Sequence, residues 1–68
     1  MKARRTEYPG IYDLDGFVAV KVNFYGYDEW ALHTGTVDQY FDTTDRWVET
    51  LPTLKQAKQY AESIREAA

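Results

Sequence analysis

The chain has 68 residues, room for one small domain and no second. It has no Cys, which excludes disulfides and thiolate metal sites, and no apolar run long enough to span a membrane. Net charge is −3: Lys2, Arg4 and Arg5 make a basic start, and eight acids (Asp13, Asp15, Asp28, Glu29, Asp38, Asp42, Asp45, Glu49) then face only Lys21 and Arg46, a balance that works against phosphate-backbone partners.

In chain order, residues 1–9 have no hydrophobic period and are expected to form a basic, mobile tail, with 10–68 as a single small α+β domain. Tyr8-Pro9-Gly10 reads as a turn or an extended entry, and Ile11–Leu14 as a short strand. Asp15-Gly16 is a two-residue hairpin signal, because both positions of such a turn need positive φ.

Phe17–Tyr25 alternates strictly. Val18, Val20, Val22 and Phe24 share one face, which is expected to lie under a helix. Phe17, Ala19, Lys21, Asn23 and Tyr25 share the other. Gly26-Tyr27-Asp28-Glu29 reads as a turn, Trp30–Thr34 as a strand, Gly35 as a bulge or tight turn, and Val37–Phe41 as further strand. Asp42-Thr43-Thr44-Asp45 is a polar turn before a last strand, Arg46–Leu51.

Leu51–Ala68 contains the clearest element. Thr53 with Gln56 three residues on forms a capping box, and Pro52 keeps the entry extended. Leu54, Ala57, Ala61, Ile64 and Ala68 then line one helical face. The expected fold is therefore α+β: an antiparallel meander of three to four strands with one C-terminal helix packed on one face. A single helix leaves the other sheet face uncovered, so Phe17, Tyr25, Tyr27, Trp30 or Trp47 are expected to face solvent, where contiguous aromatics mark interaction sites.

No catalytic constellation emerges. His33 is the one His, Ser63 the one Ser, and nothing resembles a nucleophile elbow. Asp13-Leu14-Asp15-Gly16 lacks the later ligands of a calcium loop and is better read as a turn. No zinc spacing or phosphate cradle is present, so no metal, cofactor or catalytic residue is assigned.

Strands followed by a helix, with Trp30-Ala31 and Leu54 to Ala61 in corresponding places, loosely resemble small sheet-plus-helix DNA-binding domains such as plant AP2 domains and the arm-binding domains of phage integrases. That resemblance implies a sheet laid in the major groove. Those sheets carry many Arg and Lys, whereas the strands here carry Lys21 and Arg46 among eight acids.

The residues favour a non-enzymatic, cytoplasmic protein-binding module. Its aromatic anchors within acids suit a partner with a basic, nucleic-acid-binding surface, which it would inhibit or modulate as small inhibitors from phages and mobile elements do. The expected contact residues are Tyr12, Tyr25, Tyr27, Asp28, Glu29, Tyr40, Asp42 and Asp45. The alternative is a small DNA- or RNA-binding module using the sheet face and the basic N-terminus. A homodimer through the open face or a strand edge is a third reading, compatible with either. No membrane partner is expected.

Overall fold

A computed structural model describes residues 2–42 and 45–67. The fold is α+β: a five-stranded antiparallel meander in strict chain order, with a C-terminal helix on one face. The strands are β1 (Arg4–Arg5), β2 (Ile11–Asp13), β3 (Phe17–Phe24), β4 (Tyr27–Thr34) and β5 (Trp47–Leu51). The helices are α1 (Val37–Asp42) and α2 (Leu54–Ala67).

The stretch expected to be a tail contributes β1, so the sheet has five strands rather than three or four. The Thr6 hydroxyl organises the β1–β2 link: it accepts from Tyr8 N at 3.1 Å and donates to Ile11 O at 2.8 Å. The turn at Tyr8-Pro9-Gly10 closes with Ile11 N donating to Tyr8 O. Gly10 O then accepts from Lys21 N at 2.7 Å, stitching the segment to β3.

The Asp15-Gly16 hairpin forms as expected, with φ of 56° and 101° and Leu14 N donating to Phe17 O. The next turn differs from expectation. Tyr25-Gly26 makes it, with φ of 52° and 84°, and Tyr27, Asp28 and Glu29 belong to β4. Tyr is not a turn residue by composition, so the sequence signal for this turn falls one position late, on Gly26.

Val37–Phe41, expected as strand, is helical instead. Gln39 N donates to Thr36 Oγ1 at 3.2 Å and Thr36 N donates to Gln39 Oε1 at 2.8 Å, a complete reciprocal capping box. At six residues α1 cannot persist alone. Two ring contacts anchor it: Tyr40 against His33 (centroids 4.9 Å) and Phe41 against Tyr8 (4.6 Å). The polar turn expected at 42–45 includes Thr43 and Thr44, which lie outside the described residues, as does Ala68 of the expected helix stripe.

The helix covers the sheet face opposite to the one expected. Register puts Phe17, Ala19, Leu32 and Tyr12 on a common face, and these form the core with Leu14 and with Ala57 and Ala61 of α2. Leu54, Ile64, Trp30 and Leu51 close its rim. Phe17 is therefore buried and Trp30 half-buried, not solvent-facing. The reason is steric. Ala19 offers a low surface between larger residues, and the alanines of α2 let its backbone approach closely there, where a row of valines would hold it off. Thr53 Oγ1 accepts from Gln56 N at 3.1 Å, confirming the helix start, and Arg65 pairs with Asp15 at 3.0 Å, tying the last turn of α2 to the first hairpin.

Val18 and Val20 are buried on the other face, alongside Ala31 and His33 and on the side where α1 and Tyr8 pack. This valine face thus has partial cover from α1.

The two faces are distinguished by truncation. Phe17→Ala should cost about 3–5 kcal/mol, enough to leave so small a domain largely unfolded, while Phe24→Ala should change stability by about 0.5 kcal/mol or less. Urea denaturation followed by circular dichroism measures both; equal losses would contradict the assignment of α2 to the Phe17 face.

Candidate functional site: an aromatic β-arm

The central hairpin outruns its neighbours. β2 pairs with β3 only as far as Val20, and β5 pairs with β4 only from Trp30 onward. Val22 to Glu29 therefore form a two-stranded arm beyond the sheet, about 10 Å of strand plus the turn. The burial pattern follows: the first four residues of β3 are buried and the last four exposed.

The arm has two unlike sides. Val22, Phe24, Tyr27 and Glu29 lie on the side continuous with the valine face, as the pairs Val22↔Glu29 and Phe24↔Tyr27. Asn23 and Asp28 pair on the other side. There the Asn23 amide donates to Asp28 at 3.2 Å, and Lys21 lies 3.5 Å from the same carboxylate. The polar side is stitched to itself, and the aromatic side is bare: Phe24 is 60% exposed and Tyr27 74%. Tyr25 caps the end at 87% exposure, its ring edge-on to Phe24 at 4.4 Å.

A second aromatic cluster lies where α1 meets the N-terminal segment. Tyr8 and Phe41 meet at a tilt of 56° with both rings partly exposed, and Tyr40 continues the row at 5.2 Å from Phe41. Glu7 pushes the Tyr8 phenol above its ordinary value, through a hydrogen bond first and its charge second, with burial and the charge of Asp38 adding. Tyr8 thus sits among acids from two segments. A cleft of about 370 Å³ runs along residues 5–12 beside it. Trp47, opposite His33 on the valine face, is half exposed, and its indole donates to Thr50 at 3.0 Å.

Of the residues expected to bind, Tyr25, Tyr27, Asp28 and Glu29 come together on the arm. Tyr40 and Asp42 sit on α1, Tyr40 half-buried and Asp42 exposed, and Asp45 lies exposed ahead of β5. Tyr12 is on the helix-covered face, edge-on to Trp30 at 5.5 Å. Val22, Phe24 and Phe41 are not among the residues that the sequence marks for binding. The expected alternation puts the first two under the helix and Phe41 within a strand.

The sheet edges are poorly suited to pairing. β1 has two residues, both Arg, and β5 is interrupted by a bulge at Val48. A symmetric β5–β5 pairing centred on Glu49 would set two carboxylates opposite each other. Among the described residues no three His, Asp or Glu side chains group as metal ligands would, and no helix is long and apolar enough to cross a membrane. Compared with known proteins, the chain matches no family model, no curated protein and no solved structure.

His33 is 6% exposed, its Nδ1 has no hydrogen-bond partner, and burial lowers its pKa. Well above pH 6.5 the ring is neutral in both folded and unfolded chains and contributes no pH dependence. Below that value the unfolded chain takes up the proton first, so stability falls with pH until the folded pKa is passed. Urea midpoints should drop between pH 7.5 and 5.5, and His33→Leu should flatten that drop. An unchanged slope in the variant would assign the effect to other groups.

Proposed function

We propose that the chain is a non-enzymatic, cytoplasmic binding module that holds a protein with a basic surface, and inhibits or modulates it by occupying that surface. The observation that carries this reading is the arm: Val22, Phe24, Tyr25 and Tyr27 form a contiguous exposed apolar surface on a segment that contributes little to the core. Contiguous aromatics without cover mark interaction sites, and Tyr is enriched among residues that dominate binding energy.

Charge selects the partner class. Glu29 on β4 and Asp38 on α1 belong to the same side of the molecule as the aromatics, Asp42 ends α1, and Asp13 on that side faces Arg4 across the β1–β2 pair. Lys21, the basic residue of the hairpin, is on the opposite side and engaged with Asp28. An acidic field of this kind accelerates encounter with Lys- and Arg-rich surfaces and repels phosphates. A protein that itself binds nucleic acid is the sharpest version of such a partner, and occupying its basic surface would block its normal ligand.

A Trp-free amphipathic peptide with Arg on one side and Leu on the other serves as the probe. Heteronuclear NMR titration should give shifts concentrated at Val22, Phe24, Tyr27, Glu29 and Trp47, with α2 unchanged. Affinity should fall as salt rises from about 0.05 to 0.5 M, and Glu29→Lys combined with Asp38→Lys should weaken it by about tenfold. Tight, steeply salt-dependent binding of duplex or single-stranded DNA with none of the peptide would overturn the reading.

A further inference from the structure

The chain contains the same kind of turn twice, filled differently. Asp15-Gly16 and Tyr25-Gly26 both join strands through two residues with positive φ, at 56° and 101° and at 52° and 84°. This geometry is the type I′ turn, whose first position favours Asn, Asp or Gly. A short polar side chain, or none, tolerates the left-handed backbone, whereas a Cβ carrying a bulky ring crowds the following carbonyl. Asp15 conforms, and its carboxylate also pairs with Arg65. Tyr25 does not conform.

Among the described residues, no hydrogen bond or ion pair of the Tyr25 side chain offsets the strain there. Its side chain is 87% exposed, and its one ring contact is with Phe24, itself mostly exposed. A strained residue that the fold does not need is a pointer to function. The local architecture also holds it well for display. β3 and β4 pair over their whole length, from Phe17↔Thr34 to Phe24↔Tyr27, so the turn backbone is fixed. A Tyr ring has two side-chain torsions, so little rotamer freedom is lost when it docks.

From this we infer that Tyr25 is the anchor of the arm, held out at the hairpin apex to enter an apolar socket on the basic partner protein. The inference rests on the proposed binding role of this surface. Phe24 and Tyr27 form the collar around the anchor, and Glu29, two residues further along β4, meets Lys or Arg at the socket's rim. A second copy of this chain is a poorer occupant, because docking arm to arm would bring the Glu29 carboxylates of both copies towards one another.

Tyr25→Asn installs the favoured residue in the same turn, and the test reads two quantities. Thermal unfolding should shift upward by about 4 °C, and affinity for the Arg/Leu peptide should fall by about tenfold or more. Tyr25→Phe should keep binding within about threefold, since the ring is retained. Peptide binding by Tyr25→Asn equal to that of the parent would overturn the anchor and leave the binding role standing. Loss of stability in Tyr25→Asn would overturn the strain argument. Absence of binding by the parent would overturn both readings, and Tyr25-dependent binding of a single-stranded oligonucleotide or a Tyr25-dependent dimer would overturn the partner class.

Discussion

The fold depends on how closely α2 can lie on the sheet. Its inward side is built from Ala57 and Ala61, and the sheet meets it with Ala19 between Phe17 and Leu32. Small side chains on both partners let the helix backbone settle low, and the larger residues at the rim then close around it. Once that face is taken, everything else has to be managed on the other. The buried half of the valine face needs a lid, and the chain supplies one from α1 and the Tyr8 turn. Those two segments are too short to cover the sheet's full length, and the outer half of the central hairpin is left beyond them.

The elements that were legible in the sequence are those whose signals are local. Thr53 as the cap of α2, the alternation over Phe17–Phe24 and the Asp15-Gly16 turn all formed where expected; Tyr25, expected at the strand's end, is in the turn. Each is decided by a few neighbouring residues. The choice of sheet face was not legible that way. Both faces of β3 carry apolar residues, and the more uniform valine row looked like the core. Which row wins depends on matching the helix surface, a tertiary fit that periodicity does not encode. The helix α1 has a readable local signal, since Thr36-Val37-Asp38-Gln39 has the same Thr-x-x-Gln spacing as Thr53 to Gln56. The apolar alternation of Val37 to Phe41 outweighed it because the segment is short.

For the candidate site, the aromatic and acidic character of residues 25–29 was legible, and its shape was not. The arm exists because β2 and β5 are shorter than β3 and β4. Length mismatch between strands becomes visible only after register is known. Reading Tyr27 to Glu29 as turn rather than strand hid the fact that Phe24 and Tyr27 face each other across the hairpin. The same misreading hid the positive φ of Tyr25, the one local feature here that sequence rules argue against.

The division of labour along the central hairpin bears on how its exposed aromatics should be understood. An isolated two-stranded ribbon is marginal in water, so an arm without a third strand would ordinarily fray. This one carries its own reinforcement on the polar side, where Asp28 takes both the Asn23 amide and the Lys21 ammonium. Exposed ion pairs of this kind add little to global stability. Their effect here is on local order, since they hold register in the part of the hairpin that no third strand flanks. A ribbon reinforced on the side that faces away from its aromatics keeps Phe24, Tyr25 and Tyr27 in place without covering them. Had the aromatics served folding, the same reinforcement would have been better placed by burying them against α1. The arrangement suits the proposed binding role, in which another molecule completes the aromatic side.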